Sequence, residues 1–139
     1  MKKRIIITSV LAIFLIGVTG IYYVYNKPHR DVKGENAFVT VEAKQLFDEY
    51  SKNQQEANKK YLDKVIVVKG VVKEVTLPTD NKGGATIVLE TGDEMFGISC
   101  GFDAKDSQNP AVGSQIVIKG VCTGMTMDVV LNKCSIQKP

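Results

Sequence analysis

The sequence predicts a mainly β domain of the α+β class, with an amphipathic helix before its strands and an apolar helix at the N-terminus. Three observations carry this prediction. Residues 5–25 contain no charged side chain, residues 40–62 repeat their apolar side chains every three or four positions, and an alternation of period two begins at residue 64. The chain is therefore divided into an N-terminal segment, a linker, and one folded domain, at residues 1–25, 26–39 and 40–137.

The N-terminal segment predicts attachment to a membrane. Its uncharged stretch begins at Ile5 and ends at Tyr25, which as a helix spans roughly 30 Å, the thickness of a hydrocarbon core. A basic run over residues 2–4 precedes it, and tyrosines cluster at its far end, as in an interfacial aromatic belt. These features favour a retained single-pass anchor with the domain outside the cytoplasm, on the periplasmic side. The alternative is secretion after cleavage of a signal peptide near Gly20.

The positive charge of the chain belongs to this first segment. The formal net charge is +3, but residues 1–29 hold four basic side chains and no acidic one, which leaves 14 basic against 15 acidic residues in the remainder. A nearly neutral domain lacks the basic surface that binds phosphate backbones. The charge of the domain therefore argues against nucleic acid as its main partner.

Residues 40–62 are predicted to form one amphipathic helix, with Thr40 as its N-cap. Its less polar face is expected to pack on the sheet of the same domain, and the alternative is a face that binds a partner. The face consists of Ala43, Phe47, Tyr50, Gln54, Ala57 and Tyr61.

Five strand-like runs follow, and they predict a closed barrel. Gly70 in the first run indicates a bulge or a sharp bend. Residues 65–71 (VIVVKGV) and 115–121 (QIVIKGV) repeat one pattern, as matched strands of one barrel would, and closure removes exposed strand edges. Five strands with a bent first strand and a long first loop fit a five-stranded OB-fold barrel. The runs are residues 64–77, 85–91, 94–102, 114–123 and 128–137.

The domain also resembles a known family, the tRNA_anti-like family of small exported bacterial proteins. The resemblance covers roughly residues 40–137 and implies an OB-fold, an export signal or anchor, and no agreed binding motif. It rests on these residues: Leu46, Phe47, Tyr50, Asn53, Ala57, Asn58, Lys59, Lys60, Tyr61, Lys64, Val65, Val68, Lys69 and Gly70, then Val112, Gly113, Val117, Lys119, Gly120, Cys122, Thr123, Gly124, Asp128, Val129, Val130, Leu131 and Cys134.

The three cysteines leave two interpretations open. The resemblance implies a recurrent pair, Cys122 and Cys134, which makes a disulfide between them a candidate in an oxidising compartment. A simple hairpin register places these two residues out of reach of a disulfide. The alternative is that Cys100, Cys122 and Cys134 are unpaired buried thiols.

No constellation of residues predicts catalysis, a metal site or a cofactor. The single histidine lies in the linker at His29, the acidic residues are scattered over predicted turns, and no C-x-x-C pair is present. We therefore expect a protein that is not an enzyme.

The function that the sequence supports is that of a membrane-anchored binding module of the cell envelope, with an unknown protein, peptide or saccharide as its ligand. OB-folds bind through the second and third strands and two loops, and here those loops offer Asp80, Asn81, Lys82, Met125 and Thr126 as candidate ligand-binding residues. The alternative, by fold analogy only, is a nucleic-acid-binding protein. The strand aromatics that could stack on bases, Phe96 and Phe102, lie on the apolar, inward face.

Overall fold

The computed structural model describes residues 2–25, 32, 34–79 and 83–138. The chain forms two compact units, Met1–Arg30 and Asp31–Pro139. The first contains helix α1 (Lys2–Tyr25), and the side chains of residues 12–23 are exposed to solvent. Among the described residues, no helix combines the length and the apolar character that crossing a membrane requires. The prediction that residues 5–25 span a membrane is therefore not supported by the structure, although a helix forms there.

The second unit is built around a closed barrel of five strands, as predicted. Strands β2 to β6 follow the order β2-β3-β4-β6-β5, and β5 pairs with β2 to close the ring. All of these pairings are antiparallel except β4–β6, which is parallel. A short strand β1, which the sequence did not predict, adds parallel to β2. The bounds are β1 Val39–Glu42, β2 Val65–Thr76, β3 Thr86–Leu89, β4 Ile98–Phe102, β5 Gln115–Met125 and β6 Val129–Gln137.

The two repeated runs of the sequence lie side by side in the β2–β5 pair. Their register pairs Val65 with Val121 and continues without interruption to Val71 opposite Gln115. The centre of the pairing is Val68 opposite Ile118, and these two residues are also equivalent in the sequence repeat. The repeat is therefore a local two-fold arrangement that closes the barrel.

Gly70 lies where β2 changes its neighbour. β1 pairs with β2 up to Lys69, and β3 pairs with it from Val72 onward. A Cβ on Gly70 would lie 2.9 Å from the Cβ of Ala43, so the glycine permits the helix that begins at Ala43, between β1 and β2 in the chain, to pack on the strand. The bulge predicted at Gly70 is displaced, since the register shift of β2 falls between Val72 and Glu74.

Two helices replace the single predicted one. They are α2 (Ala43–Lys52) and α3 (Gln54–Tyr61), separated at Asn53, whose side chain accepts a hydrogen bond from the backbone N–H of Glu56 at 3.2 Å. Thr40 lies in β1 and is not the N-cap. The predicted face is buried against the core except at Gln54, and Leu46 is buried with it. This face packs on the domain itself, which favours the intramolecular interpretation over partner binding.

Candidate ligand-binding face

Eight outward-facing residues form two rows across the barrel wall from β2 to β6. In the first row the strand register aligns Glu74, Val88, Ser99 and Val130. In the second it aligns Thr76, Thr86 and Gly101, and the side-chain oxygen of Asn132 lies beside Gly101. None of the eight is buried. We call these residues the outer face. Its middle lies on β3 and β4, the second and third strands of the barrel, with which OB-folds bind ligands.

Small residues line the middle of the outer face, namely Thr86, Ser99 and Gly101. A Cβ on Gly97, just before β4, would lie 2.6 Å from the carbonyl oxygen of Leu89 and 2.7 Å from a methyl group of Val88, so a side chain does not fit there. Hydroxyl and amide groups of Thr76, Thr86, Ser99 and Asn132 can donate and accept hydrogen bonds. The surface can therefore bind by hydrogen bonding and apolar contact.

The loop between β3 and β4 is held in one conformation by its own polar groups. The Asp93 carboxylate accepts hydrogen bonds from the backbone N–H groups of Met95 at 2.8 Å and Phe96 at 3.0 Å. The Lys73 ammonium donates to the carbonyl oxygens of Asp93 and Glu94 at 3.1 and 2.8 Å. The backbone hydrogen bonds, from Phe96 first and then Met95, lower the pKa of Asp93, which keeps the carboxylate charged at neutral pH.

The turn between β5 and β6 is joined to this loop. The Asp128 carboxylate accepts a hydrogen bond from the backbone N–H of Gly97 at 2.9 Å, and the N–H of Val129 donates to the carbonyl oxygen of Gly97 at 3.2 Å. Two side chains project from the joined loops, Met95 with 81% and Met127 with 69% of its surface exposed. We call residues 90–97 and 126–128 together the methionine end of the barrel.

The structure describes only part of the predicted ligand-binding loops. Asp80, Asn81 and Lys82 lie outside the described residues. Met125 is the last residue of β5 and packs against the core, and its carbonyl oxygen accepts a hydrogen bond from the Gln54 side chain at 2.8 Å.

Thr126 lies in the exposed turn after β5, where its N–H donates to the carbonyl oxygen of Asp128. The candidate ligand-binding residues predicted from the sequence do not include Met95 and Met127. The signal that could have found them is a methionine beside an acidic residue in each of two predicted turns, Glu94–Met95 and Met127–Asp128.

The three cysteines are free and buried. The Tyr50 hydroxyl lies 3.3 Å from the sulfur of Cys122, and burial together with this contact raises the pKa of Tyr50 well above its ordinary value. Cys122 is opposite Leu131 in the β5–β6 pair. The thiol of Cys134 interacts with that of Cys100, and this interaction, followed by burial, raises the pKa of Cys100 well above its ordinary value. The structure thus brings Cys134 to Cys100, and the Cys122–Cys134 disulfide stays a prediction.

No group of three or more histidine, cysteine, aspartate or glutamate side chains could hold a metal ion within the described ranges. Phe102 is buried and Phe96 packs partly against the core, so neither ring lies on the outer face.

A closed five-stranded barrel with this strand order defines an OB-fold protein. More particularly, the chain belongs to the tRNA_anti-like family, whose model matches residues 1–136. Among solved structures it is similar to a lipoprotein from Klebsiella pneumoniae subsp. pneumoniae whose name proposes that it binds nucleic acid. That likeness has a TM-score of 0.57 at 17% identity and covers 81% of this chain and 100% of the other, and it shows a shared fold. No curated protein matches the sequence.

Proposed function

We propose that this protein is a non-catalytic OB-fold binding module of the cell envelope that recognises a protein, peptide or saccharide through its outer face. One observation carries the proposal. The outer face offers hydroxyl, amide and apolar groups and the carboxylate of Glu74 on a closed barrel, and none of its eight residues is a cation or carries an aromatic ring. Such a surface suits a neutral or cationic ligand that binds by hydrogen bonds and apolar contact.

The envelope location is supported by the sequence and by the similar structure. The neighbour from Klebsiella pneumoniae is a lipoprotein, and residues 5–25 of this chain carry no charge behind a basic run. We propose that these residues hold the domain at a membrane, on the outside of the cytoplasm.

Nucleic acid is the second candidate ligand, and the name of that neighbour is the observation that favours it. Phosphate groups require free cations, and bases require exposed aromatic rings on which to stack. The ammonium of Lys73, which precedes Glu74 in β2, already donates to two carbonyl oxygens. The outer face therefore argues against this candidate.

The test is a salt titration of the full-length protein in detergent micelles against single-stranded DNA and RNA. We expect weak binding with little dependence on salt. Sub-micromolar binding at low salt that falls steeply as salt rises would replace the proposed function with the nucleic-acid alternative.

A capture experiment from the organism's own membranes tests the face itself. Ser99→Trp, which fills the centre of the outer face, should abolish capture of whatever ligand the unmodified protein retains. The matched control is Lys52→Trp on the exposed side of α2, which should capture as the unmodified protein does. Equal loss in both variants, or none in either, would contradict the assignment.

A further inference from the structure

We propose that the methionine end of the barrel is a docking site for a positively charged segment of a partner protein that also carries apolar side chains. This inference rests on the proposed function. It extends the binding surface from the outer face to the neighbouring methionine end, where Gly97 lies against Val88, and it narrows the ligand to a protein. The site consists of the exposed thioethers of Met95 and Met127 and the carboxylates of the same two loops.

The two methionines are unusually exposed for apolar side chains. Met95 and Met127 have larger exposed fractions than any other large apolar side chain described in the second unit, where the next are Val112 at 67% and Phe38 at 58%. Flexible, polarisable thioethers adapt to the apolar side chains of a partner. Covering them would remove apolar surface from water, which is favourable.

The loops that carry the methionines are already ordered. Asp93, Lys73 and Asp128 fix residues 93–97 by the hydrogen bonds described above, and Thr91 adds another, from its hydroxyl to the carbonyl oxygen of Phe96 at 3.0 Å. Association is penalised when loops must be ordered on binding. A partner that docks here meets a surface that does not incur this penalty.

The negative charge of the methionine end favours a partner segment of positive charge. Residues 90–97 and 126–128 contain four carboxylates, those of Glu90, Asp93, Glu94 and Asp128, and no basic side chain. Two lysines of other elements lie beside these loops. Lys73 donates to backbone carbonyl oxygens of the loop, and the ammonium of Lys44 lies beside Gly92, 4.0 Å from where a Cβ on that glycine would be, so the four carboxylates still outnumber the cations. A cationic segment is therefore attracted and oriented, whereas phosphate groups of nucleic acids or anionic lipids are repelled.

The experiment uses the full-length protein in zwitterionic micelles, with carbon-13 in the methionine methyl groups. The probes are two synthetic peptides of equal length, one alternating lysine with leucine and one alternating glutamate with leucine. We expect the lysine peptide to shift the Met95 and Met127 signals saturably and to shift Met125, which packs on the core, much less. The glutamate peptide should shift none of them.

Matched variants separate apolar contact from charge. Replacing both exposed methionines by serine should lower the affinity for the lysine peptide by about tenfold, as loss of central apolar anchors does. Replacing both by leucine should leave this affinity within about threefold of the original value, because the apolar surface is kept. Glu94→Gln should reduce both the affinity and its dependence on salt.

Several outcomes would overturn the proposal. They are equal shifts with both peptides, no shift with either, or a shift of the two exposed methionines by single-stranded DNA. A saccharide that shifts the amide signals of Ser99 and Val88, and leaves the methionine methyl signals unchanged, would also overturn it while leaving the proposed function intact. Nucleic-acid binding in the salt titration would remove the proposed function as well.

Discussion

At the scale of single residues, neighbouring atoms lie so close to the backbone at some positions that only glycine fits there. Gly120 in β5 is buried, and a Cβ there would lie 2.7 Å from the sulfur of Cys134 and 3.2 Å from the carbonyl oxygen of Asn132. The echo of Lys-Gly in the two repeated runs is thus explained at each glycine by a different neighbour, Ala43 at Gly70 and Cys134 at Gly120.

We expect Gly120→Ala to lower the free energy of unfolding by about 1–3 kcal/mol, because the added methyl group overlaps the Cys134 sulfur. In the background of Cys134→Ala the same change should cost clearly less, since the sulfur is gone. Denaturant unfolding of the four proteins of this cycle measures the coupling. Gly17→Ala, where a Cβ would meet no atom within 4 Å, is the control and should leave the barrel unaffected. Strictly additive effects in the cycle would show that another contact is responsible.

At the scale of elements, a carboxylate joins α2 to α3. One oxygen of Glu49 accepts hydrogen bonds from the Lys60 ammonium and the Tyr61 hydroxyl, both at 2.8 Å, and the other accepts one from Gln45 at 3.0 Å. Partial burial acts to raise the pKa of Glu49, but the hydrogen bonds from Lys60, Gln45 and Tyr61 outweigh it, and the net effect lowers this pKa below its ordinary value of 4.5.

The sign of the resulting pH dependence follows from this lowered pKa. The stabilisation by charged Glu49 is fully present above pH 4.5, the ordinary value, and is lost as the pH falls through the lower pKa of the folded state. Glu49→Gln should therefore be less stable than the unmodified protein at neutral pH, by up to about 1 kcal/mol for an ion pair that water still reaches, and the difference should vanish in acid.

Unfolding measured from pH 7 to pH 3 checks this prediction. Glu56→Gln is the matched control, because the Glu56–Lys59 pair is more exposed, with 65% and 74% of the side chains accessible. It should change stability less at every pH. A Glu49→Gln difference that stays constant down to pH 3 would contradict the assignment.

The helices and strands also show which parts of the fold can be predicted from the sequence. The five strands, their closure and the buried face of residues 43–61 follow from local periodicity, which is set by which side chains point inward. Strand β1 could not be predicted, because it is a four-residue strand that exists only through parallel pairing with β2, distant in sequence. The predicted runs 85–91 and 94–102 leave only two residues between the strands, whereas in the structure a longer ordered loop connects them. Asp93 and Lys73 hydrogen-bond the backbone of this loop, and β4 begins only at Ile98.

The candidate site also has one part that local periodicity predicts and one part that depends on contacts between residues distant in sequence. Periodicity predicts that Ser99 and Gly101 lie on the polar side of their strand, and the outer face contains both. The methionine end depends on the bond from Gly97 to Asp128, 31 residues apart. Such a contact is visible only once the strands are assembled.

At the scale of the whole molecule, residues before the barrel complete its outer wall. Val32 has 4% of its surface exposed and packs with Val65 and Val121, which are opposite one another on the outside of the β2–β5 pair. The N–H of Phe38 then donates to the carbonyl oxygen of Val65 at 2.7 Å, and β1 continues along β2. In a ring of five strands the β2–β5 pair lies across from β4, so this segment covers the side opposite the part of the outer face that lies on β4.

This arrangement predicts that the segment stabilises the barrel without contributing to ligand binding. Val32→Ala removes two methyl groups from a buried contact, which should lower the free energy of unfolding by about 1–2 kcal/mol. The matched control is Val112→Ala, because Val112 is 67% exposed and its truncation should have almost no effect. Denaturant unfolding measures the difference.

Hydrogen exchange adds a local readout, since the amide of Phe38 should exchange faster in Val32→Ala by a larger factor than the amides of β3. Affinity for the lysine peptide should be the same in both variants, because Val32 packs on Val65 and Val121 and not on the loop residues 90–97 and 126–128. Equal stability of the two variants, with unchanged exchange at Phe38, would mean that the β2–β5 pair closes the barrel without help from this segment.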